Sequence, residues 1–230
     1  MKYMKHYGEK FNMFKSIIKK NNPVIVEVGA HYGEDSMRFV ETFPKCKIFC
    51  FEPDKRNIDI FKKYVNDKRV HLFEVALSNK SGIMPFYQSY QECGTQKVPD
   101  KYDWISRDEY INGGLNSSGA SSLKKGYIHT LEKPTEVEVD RFDNWYSKNN
   151  IGKIDFAWID VQGAEREVIE GMGNEIKNIQ YIWMEYGEKF YDGAMNRNET
   201  LRLMLSRGFR EVIQYSDHGA QGDILCVNTR

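Results

Sequence analysis

The feature that most limits the possible folds is an alternation of short apolar runs with amphipathic segments. The runs at 24–29 (VIVEVG), 47–53 (KIFCFEP) and 70–77 (VHLFEVAL) have the length and apolar content of strands buried on both faces. Between them, 34–43 and 54–65 carry apolar residues at helical spacing, which predicts two helices. Strand, helix, strand, helix, strand is the order of a parallel sheet with helical crossovers.

The second half of the chain returns to the same order. A strand is predicted at 153–160, a helix at 164–172 and another strand at 181–186. Asn196, with a glutamate three residues on, forms a capping-box pattern that predicts the start of a helix. The last runs, FREVIQY and DILCVN, predict a closing antiparallel pair. The sequence therefore predicts an α/β fold around one mostly parallel sheet.

Composition excludes several classes of protein. The 230 residues include 33 basic and 33 acidic side chains, so the chain lacks the positive excess typical of a nucleic-acid binder. No apolar run approaches the ~20 residues of a membrane span, and the N-terminus lacks the apolar stretch of a secretory signal. Cys46 and Cys50 are four residues apart on a predicted strand and are expected to be small buried residues. We expect a cytoplasmic protein with one domain over 1–230.

The region from about 89 to 133 interrupts this regular order. It shows no clear periodicity, but it contains several aromatic residues and the glycine- and serine-rich stretch 113–122. A loop of this length inside a compact domain is usually functional or disordered, and the aromatic content argues against pure disorder. We predict that it is an insertion that covers the substrate.

A glycine-containing turn and a later acid point to the cofactor. Glu27, Gly29 and Gly33 lie where the first strand passes into a helix, and glycines there let the backbone approach a ligand closely. The spacing is G-x-x-x-G rather than the G-x-G-x-x-G that a dinucleotide pyrophosphate needs. Glu52 follows Gly29 by 23 residues, at the tip of the second strand, where an acid suits ribose hydroxyls. An adenosyl site without a pyrophosphate indicates S-adenosylmethionine.

Several motifs give the chain a family resemblance. In order along the sequence they are EVGAHYG (27–33), FEPD (51–54), EVALS (74–78), GASSL (119–123), VEVDRFDNW (137–145) and IDVQGAEREVIEGM (159–172). With these motifs the chain resembles the FkbM-type S-adenosylmethionine-dependent methyltransferases over residues 22–190. The resemblance implies a Rossmann-like class I methyltransferase fold, a seven-stranded mostly parallel sheet with helices on both faces and a closing antiparallel hairpin.

The resemblance also implies a set of site residues. It places the ribose on Glu52 and the adenine near Ala76 and Ser78, and it directs Asp160 toward the sulfonium and the incoming hydroxyl. The residues that it assigns to the methionine part and the turn around it are Glu27, Gly29, His31, Gly33 and Ser36.

The reaction itself narrows the catalytic candidates. A neutral alcohol must lose its proton when it accepts a methyl group, so the site needs a base or a cation that lowers the hydroxyl pKa. Asp160, with His129, is one candidate base. Alternatively, Asp160 and Glu185 end neighbouring strands and could share Mg²⁺ or Mn²⁺ through their carboxylate oxygens. The sequence leaves both routes open.

The predicted activity is O-methylation of a hydroxyl on a sugar, glycan or related small metabolite. The alternatives are a nicotinamide-dependent oxidoreductase on a similar sheet and a cofactor-binding module without activity. The expected partner is a small-molecule or glycan acceptor, with no nucleic acid and no membrane span. The oligomeric state is left open, and a homodimer is one of the states that the sequence allows.

Overall fold

The computed structural model describes residues 8–90, 98, 102, 104–112, 118–127, 133–217 and 220–230. The helices in these residues are α1 (Gly8–Ile18), α2 (Glu34–Thr42), α3 (Lys55–Tyr64), α4 (Arg107–Asn112), α5 (Phe142–Asn149), α6 (Glu165–Gly171) and α7 (Arg197–Ser206). The strands are β1 (Val24–Val28), β2 (Lys47–Phe51), β3 (Val70–Phe73), β4 (Ala76–Leu77), β5 (Gly82–Phe86), β6 (Thr135–Asp140), β7 (Ile154–Ile159), β8 (Ile179–Gly187), β9 (Phe209–Asp217) and β10 (Gln221–Asn228).

The main sheet has seven strands in the order β3-β2-β1-β7-β8-β10-β9. Strands β3, β2, β1, β7 and β8 pair in parallel, whereas β10 pairs antiparallel with both β8 and β9. The predicted mostly parallel sheet with a closing antiparallel hairpin is therefore confirmed. Strands β2 and β3 continue from β1 toward one edge of the sheet, whereas β7 and β8 lie on its other side. The strand order therefore reverses between β1 and β7, and open α/β sheets bind ligands at such a point.

Helices cover both faces of this sheet. On one face, α1, α2 and α3 bury a cluster that includes Phe14, Phe39 and Trp158. On the other face, α5, α6 and α7 bury a second cluster that includes Trp145 and Ile169. The helices of the described residues do not include one with the length and apolar character needed to cross a membrane.

One strand prediction was wrong in part. The run 70–77 is not one strand, because the chain leaves the main sheet after Phe73 and forms β4 in a separate three-stranded sheet of order β4-β6-β5. Ala76 and Leu77 pair in parallel with Val139 and Asp140 of β6. The apolar pattern was read as one strand because both segments are apolar, and periodicity does not reveal a change of pairing partner. Ala76, Leu77 and Phe86 of the small sheet line the cavity described below.

Hydrogen bonds join the start of the region predicted as an insertion, 89–133, to residues 121 and 122 within it. Tyr87 and Ser122 exchange backbone hydrogen bonds of 2.8 and 3.1 Å, and the Ser89 amide donates to Ser121 Oγ at 3.0 Å. The Arg56 guanidinium, at the start of α3, donates to Ser89 O and to Ser121 Oγ, both at 3.1 Å. We call these residues the insertion neck. Their contacts hold residues 87–89 and 121–122 together beside α3.

Part of the insertion packs on the main body. Tyr102, Ile105 and Tyr110 are buried against Tyr32 of the β1–α2 turn and Ile60 of α3. The edge-to-face ring of Tyr102 has its centroid 5.3 Å from that of Tyr32. This contact brings the insertion onto the turn after β1. The assignment of 1–230 to one domain stays a prediction.

The cysteine prediction is confirmed for the described residues. Cys46, Cys50 and Cys226 are free and buried. Burial raises the pKa of the Cys46 thiol to about 11, so this side chain stays a neutral thiol near neutral pH. Cys93 lies outside the described residues.

Candidate active site

A cavity of about 360 Å³ opens at the carboxyl ends of β1, β2 and β7. The loops after these strands, the start of α3, the small sheet and the turn at 118–123 form its walls. The predicted site residues that line it are Glu27, Gly29, His31, Glu52, Ala76 and Asp160. The predicted site residues that lie behind its lining are Gly33, Ser36, Ser78 and Glu185. The cavity therefore brings together residues that are far apart in the sequence.

Two glycines shape the turn after β1 for packing reasons. Gly29 has a φ of +87°, and a Cβ there would lie 1.9 Å from the carbonyl oxygen of Asp160. Gly33 has a φ of +84°, and a Cβ there would lie 2.5 Å from the Val65 side chain and 2.8 Å from Phe61. A side chain at either position would collide with protein atoms in an unfavourable backbone conformation. Gly29 lets the loops after β1 and β7 touch, and Gly33 lets α2 approach α3.

Glu52 is held in place by three N–H donors. Its Oε2 accepts the backbone N–H of His31 at 2.8 Å, and its Oε1 accepts the backbone N–H of Asp54 at 2.8 Å. The Asn57 amide donates to the same Oε1 at 3.3 Å. Burial raises the pKa of Glu52 to about 7, and the backbone hydrogen bonds oppose that rise. The carboxylate is therefore fixed at the cavity wall with acceptor lone pairs available.

Asn57 is a site residue that the sequence reasoning missed. It lies on α3, lines the cavity and is 2% exposed. Its Nδ2 donates to Glu52, whereas its Oδ1 is buried and accepts no hydrogen bond from the described protein atoms. A buried acceptor without a donor is costly, so it suits a ligand that brings an O–H or N–H. Only its position in the first turn of α3, close behind Glu52, could have indicated this role.

Glu27 is positioned from behind the cavity by Ser36. The Ser36 hydroxyl on α2 donates to Glu27 Oε2, and the Cys50 thiol approaches the same oxygen at 3.5 Å. Burial raises the pKa of Glu27 well above its usual range, and Asp35 adds to that rise. Ser36 thus reaches the cavity through Glu27 and does not line it.

His31 connects the cofactor-side turn to the insertion. It has a φ of +51°, and its Nδ1 lies 2.9 Å from Glu34 Oε1. Its Nε2 lies 3.1 Å from Ser118 Oγ, and Tyr32 Oη lies 2.6 Å from the same hydroxyl. The Tyr102 hydroxyl donates to Glu34 Oε1 at 3.3 Å. This network ties the turn at 118–120 to the residue whose backbone N–H holds Glu52.

The small sheet provides an apolar wall. Ala76, Leu77 and Phe86 are buried and line the cavity on the side of β2. Ser78 is fully buried behind them, with its hydroxyl 3.9 Å from Met84 Sδ. Apolar atoms with few polar groups nearby are typical of a surface that contacts a flat aromatic ring.

Asp160 and Glu185 come close together, as expected from neighbouring strands. The side-chain amide of Gln162 donates to Asp160 Oδ1 at 2.5 Å and to Glu185 Oε2 at 3.1 Å. Gln162 Oε1 in turn accepts the Tyr191 hydroxyl at 2.7 Å, and Gln221 donates to Glu185 Oε1. Gln162 has a φ of +55°, an uncommon backbone conformation for this residue type. Its amide therefore bridges the two carboxylates.

The carboxylate pair has strongly perturbed acidity. Burial raises the pKa of Asp160, and the hydrogen bond from Gln162 opposes that rise. Burial also raises the pKa of Glu185 well above its usual range, and the charge of Asp160 raises it further. Two buried acids this close do not both ionise easily, so the pair retains a proton at a higher pH than isolated carboxylates do.

The structure does not favour the predicted metal. In the described part of the chain, no group of three or more His, Cys, Asp or Glu side chains is arranged to hold an ion. Asp160 and Glu185 instead share the N–H donors of Gln162, and a cation between them would have to displace that amide. His129, the predicted partner of Asp160, lies outside the described residues.

The fold and the site define the class of protein. The chain superposes on the fibrillarin of Aeropyrum pernix, solved with natively bound S-adenosyl-L-methionine, with a TM-score of 0.52. The two sequences are 10% identical, and the match covers 96% of this chain and 74% of that one. At this identity the likeness shows the fold alone, which is the class I methyltransferase fold.

Sequence comparison gives the family. Residues 27–211 match the model of the methyltransferase FkbM domain. The 2-O-methyltransferase NoeI of Sinorhizobium fredii is 31% identical over 217 residues, which is 94% of this chain and 83% of NoeI. The methyltransferase sdnD of Sordaria araneosa is 25% identical over 67% of this chain and 62% of its own length. The chain therefore belongs to the FkbM family of S-adenosylmethionine-dependent methyltransferases.

Proposed function

We propose that this methyltransferase transfers the methyl group of S-adenosylmethionine to a hydroxyl of a sugar, a glycan or a related small metabolite. The observation that carries the proposal is the Asp160 carboxylate, which faces the cavity from the end of β7 with a raised pKa. An acid of this kind suits the removal of a hydroxyl proton. The name of the relative NoeI, a 2-O-methyltransferase, supports oxygen as the accepting atom.

The residues at the β2 end of the cavity fit the ribose of this cofactor. Ribose hydroxyls are donors, and the wall offers the fixed Glu52 carboxylate together with the buried Asn57 Oδ1 that lacks a donor. The apolar wall of Ala76, Leu77 and Phe86 beside them suits the adenine ring. When bound, S-adenosylmethionine supplies a methyl group already activated by its sulfonium.

The chain's own residues then have three tasks. They must hold the acceptor oxygen in line with the sulfur–methyl bond, exclude water and take the hydroxyl proton. Gln162 fixes the orientation of the Asp160 carboxylate, and the insertion residues Ser118, Ser121 and Ser122 help to close the cavity above it. In this proposal Asp160 takes the proton, and Glu185 keeps Asp160 in place through the shared Gln162 amide.

The arrangement of donors does not fit a catalytic Mg²⁺ or Mn²⁺, and no step is assigned to a metal. The hydrogen bonds from Gln162 occupy the oxygen atoms that face each other in the carboxylate pair.

The proposed activity can be tested directly. The protein is incubated with isotopically labelled S-adenosylmethionine and a panel of neutral mono- and oligosaccharides, with excess chelator in parallel samples. We expect a methyl ether on one hydroxyl of at least one acceptor, detected by mass spectrometry, at a rate that chelator does not change. Loss of activity in chelator that Mg²⁺ restores would contradict the metal-free route. Methylation of nitrogen or carbon would contradict O-methylation. Tight S-adenosylhomocysteine binding without turnover of any acceptor would favour a binding module.

Cofactor affinity should depend on pH through Glu52. The pKa of Glu52 is raised to about 7, and its ionised form is the better acceptor for ribose hydroxyls. Affinity is therefore full above pH 7 and is lost as the pH falls through 7, by about tenfold between pH 8 and pH 6. Calorimetry with S-adenosylhomocysteine at several pH values measures this change.

The matched variant for this measurement is Glu52→Gln, which keeps the size of the side chain but cannot ionise. We expect its affinity at pH 8 to be about 10- to 100-fold lower than that of the wild type, from the loss of charge-assisted hydrogen bonds. Its affinity should also vary less with pH over the same interval. Equal pH dependence in the two proteins would assign the titration to another group.

A further inference from the structure

Lys10 brings a positive charge to the cavity from outside the motifs of the site. It lies on α1, and its ammonium is 4.8 Å from the ring centroid of Trp158 and 4.9 Å from that of Trp183. Both Lys10 and Trp158 line the cavity. The indole faces attract the ammonium, so the two rings help to set the position of the Lys10 charge.

A second cation, Arg38, lines the same cavity and forms an ion pair with an acidic residue. Arg38 on α2 donates to Asp35 Oδ1 at 2.6 Å, and both residues line the cavity. Arg38 is only 4% exposed, so this ion pair lies largely out of water. The charge of Lys10 also acts on Asp35 and opposes the rise in its pKa. This end of the cavity therefore presents both signs of charge, as recognition of an amino-acid group requires.

The sheet order separates this end from the ribose end. Strands β2 and β7 flank β1 on opposite sides, so Glu52 and Trp158 lie on opposite sides of the turn after β1. The proposed cofactor has hydroxyls on its ribose, a positive sulfonium in the middle and a carboxylate at its far end. Lys10 would repel the sulfonium and attract the carboxylate, whereas the acidic Asp160 would attract the sulfonium. In one orientation of the cofactor, the ribose lies at Glu52, the sulfonium lies near Asp160 and the carboxylate lies at Lys10.

We infer that Lys10 binds the α-carboxylate of the cofactor's methionine part, so that α1 forms one end of the cofactor site. The inference rests on the proposed cofactor. It adds a residue outside the family-like motifs and gives α1 a role in binding besides its packing on the sheet. Because the ammonium is partly exposed to water, the contribution is expected at the lower end of those for charged hydrogen bonds.

The test compares two ligands that differ in the amino-acid part. S-adenosylhomocysteine carries the α-carboxylate, whereas 5′-methylthioadenosine has the same adenosyl thioether without it. The variant Lys10→Met keeps an unbranched stem against Trp158 and removes the charge. We expect calorimetry to show about a tenfold loss of affinity for S-adenosylhomocysteine and unchanged affinity for 5′-methylthioadenosine. Lys10→Arg should retain the preference for S-adenosylhomocysteine, and Lys15→Met, an exposed position on the same helix, should match the wild type.

The outcomes separate the inference from the proposed function. Equal losses for both ligands in Lys10→Met would show that Lys10 shapes the cavity without contacting the carboxylate, which overturns the inference. Unchanged affinity for both ligands would overturn it as well. If the wild-type protein binds neither ligand, the proposed cofactor itself fails. Binding of S-adenosylhomocysteine to the wild type with no effect of Lys10→Met removes the inference alone.

Discussion

Asp160→Asn should lower the rate of methyl transfer by about 10²- to 10⁴-fold, the usual contribution of a positioned general base. Asparagine has nearly the same shape, so the contact of the loop after β7 with Gly29 should persist, but its amide cannot accept the hydroxyl proton. S-adenosylhomocysteine carries no sulfonium charge, so its affinity should change little. Single-turnover measurements that follow the formation of the methylated acceptor separate the rate of methyl transfer from substrate binding.

The pH dependence of the wild-type rate provides the accompanying check. A base works only in its ionised form, and burial raises the pKa of Asp160. As the pH falls, the rate should therefore be lost at a pH above the usual pKa range of an aspartate. It should be restored when the pH is raised again. Glu185→Gln is the matched control. Because Glu185 lies behind the cavity lining, this substitution should lower the rate of methyl transfer less than Asp160→Asn does. An active Asp160→Asn variant would exclude Asp160 as the base.

Gly29→Ala should lower the free energy of unfolding by about 4 kcal/mol, combining backbone strain with overpacking. The added Cβ would lie 1.9 Å from the carbonyl oxygen of Asp160, and neither backbone segment can move without disturbing β1 or β7. From the sequence, Gly29 is expected to let the backbone approach a ligand closely. In the structure, a side chain at this position collides with the backbone, so we expect a loss of stability before any effect on ligand binding. Denaturant unfolding measures the change in the free energy of unfolding.

Gly152→Ala is the control for the steric part of this effect. Gly152 also has a positive φ, +74°, but a Cβ there would meet no atom within 4 Å. Its substitution should cost only the conformational strain, about 1 kcal/mol. If Gly29→Ala and Gly152→Ala destabilise the protein equally, the close contact with Asp160 does not matter for stability.

Elements with strong local patterns could be predicted from the sequence. The run at 24–29 forms β1, and Asp54 caps α3 by accepting the Arg56 backbone N–H at 3.1 Å. Asn196 and Glu199 form the expected capping box at the start of α7. These features depend on residues within a few positions of one another, so a single sequence contains the information that they need.

Features that depend on distant pairing could not be predicted in this way. The small sheet joins β4 to β6, which lies beyond the insertion, and no local pattern encodes that partnership. The helix α1 was not predicted. Its apolar pattern is short, and Phe11 on this helix packs on Phe39 and Trp158, which are distant in the sequence. Asn57 and Lys10 were missed for the same reason, since their roles arise from their neighbours in space.

In the site, too, some features could be predicted from the sequence and others could not. Asp160 and Glu185 were expected to converge because neighbouring parallel strands end at the same edge, and the register of β7 and β8 brings them together. Their chemistry was harder to foresee, because the Gln162 amide that bridges them sits in an unusual backbone conformation. A cation shared by the two carboxylates was one of the routes that the sequence left open, whereas in the structure hydrogen bonds from Gln162 join them.

The insertion neck affects which parts of the chain can change in length and sequence without disturbing the rest of the fold. Tyr87 and Ser122 are paired, and Arg56 donates to both Ser89 and Ser121, so the two ends of the stretch between them lie side by side at the start of α3. Doubling the length of such a stretch costs only about 0.6 kcal/mol in closure entropy. Under the proposed function, the stretch between the two ends can therefore change in length and sequence while the residues at the β2 end of the cavity keep their positions. We expect a chimaera that takes residues 90–117 from a relative, and so keeps the contact of Ser118 with His31, to change the acceptor preference more than the cofactor affinity.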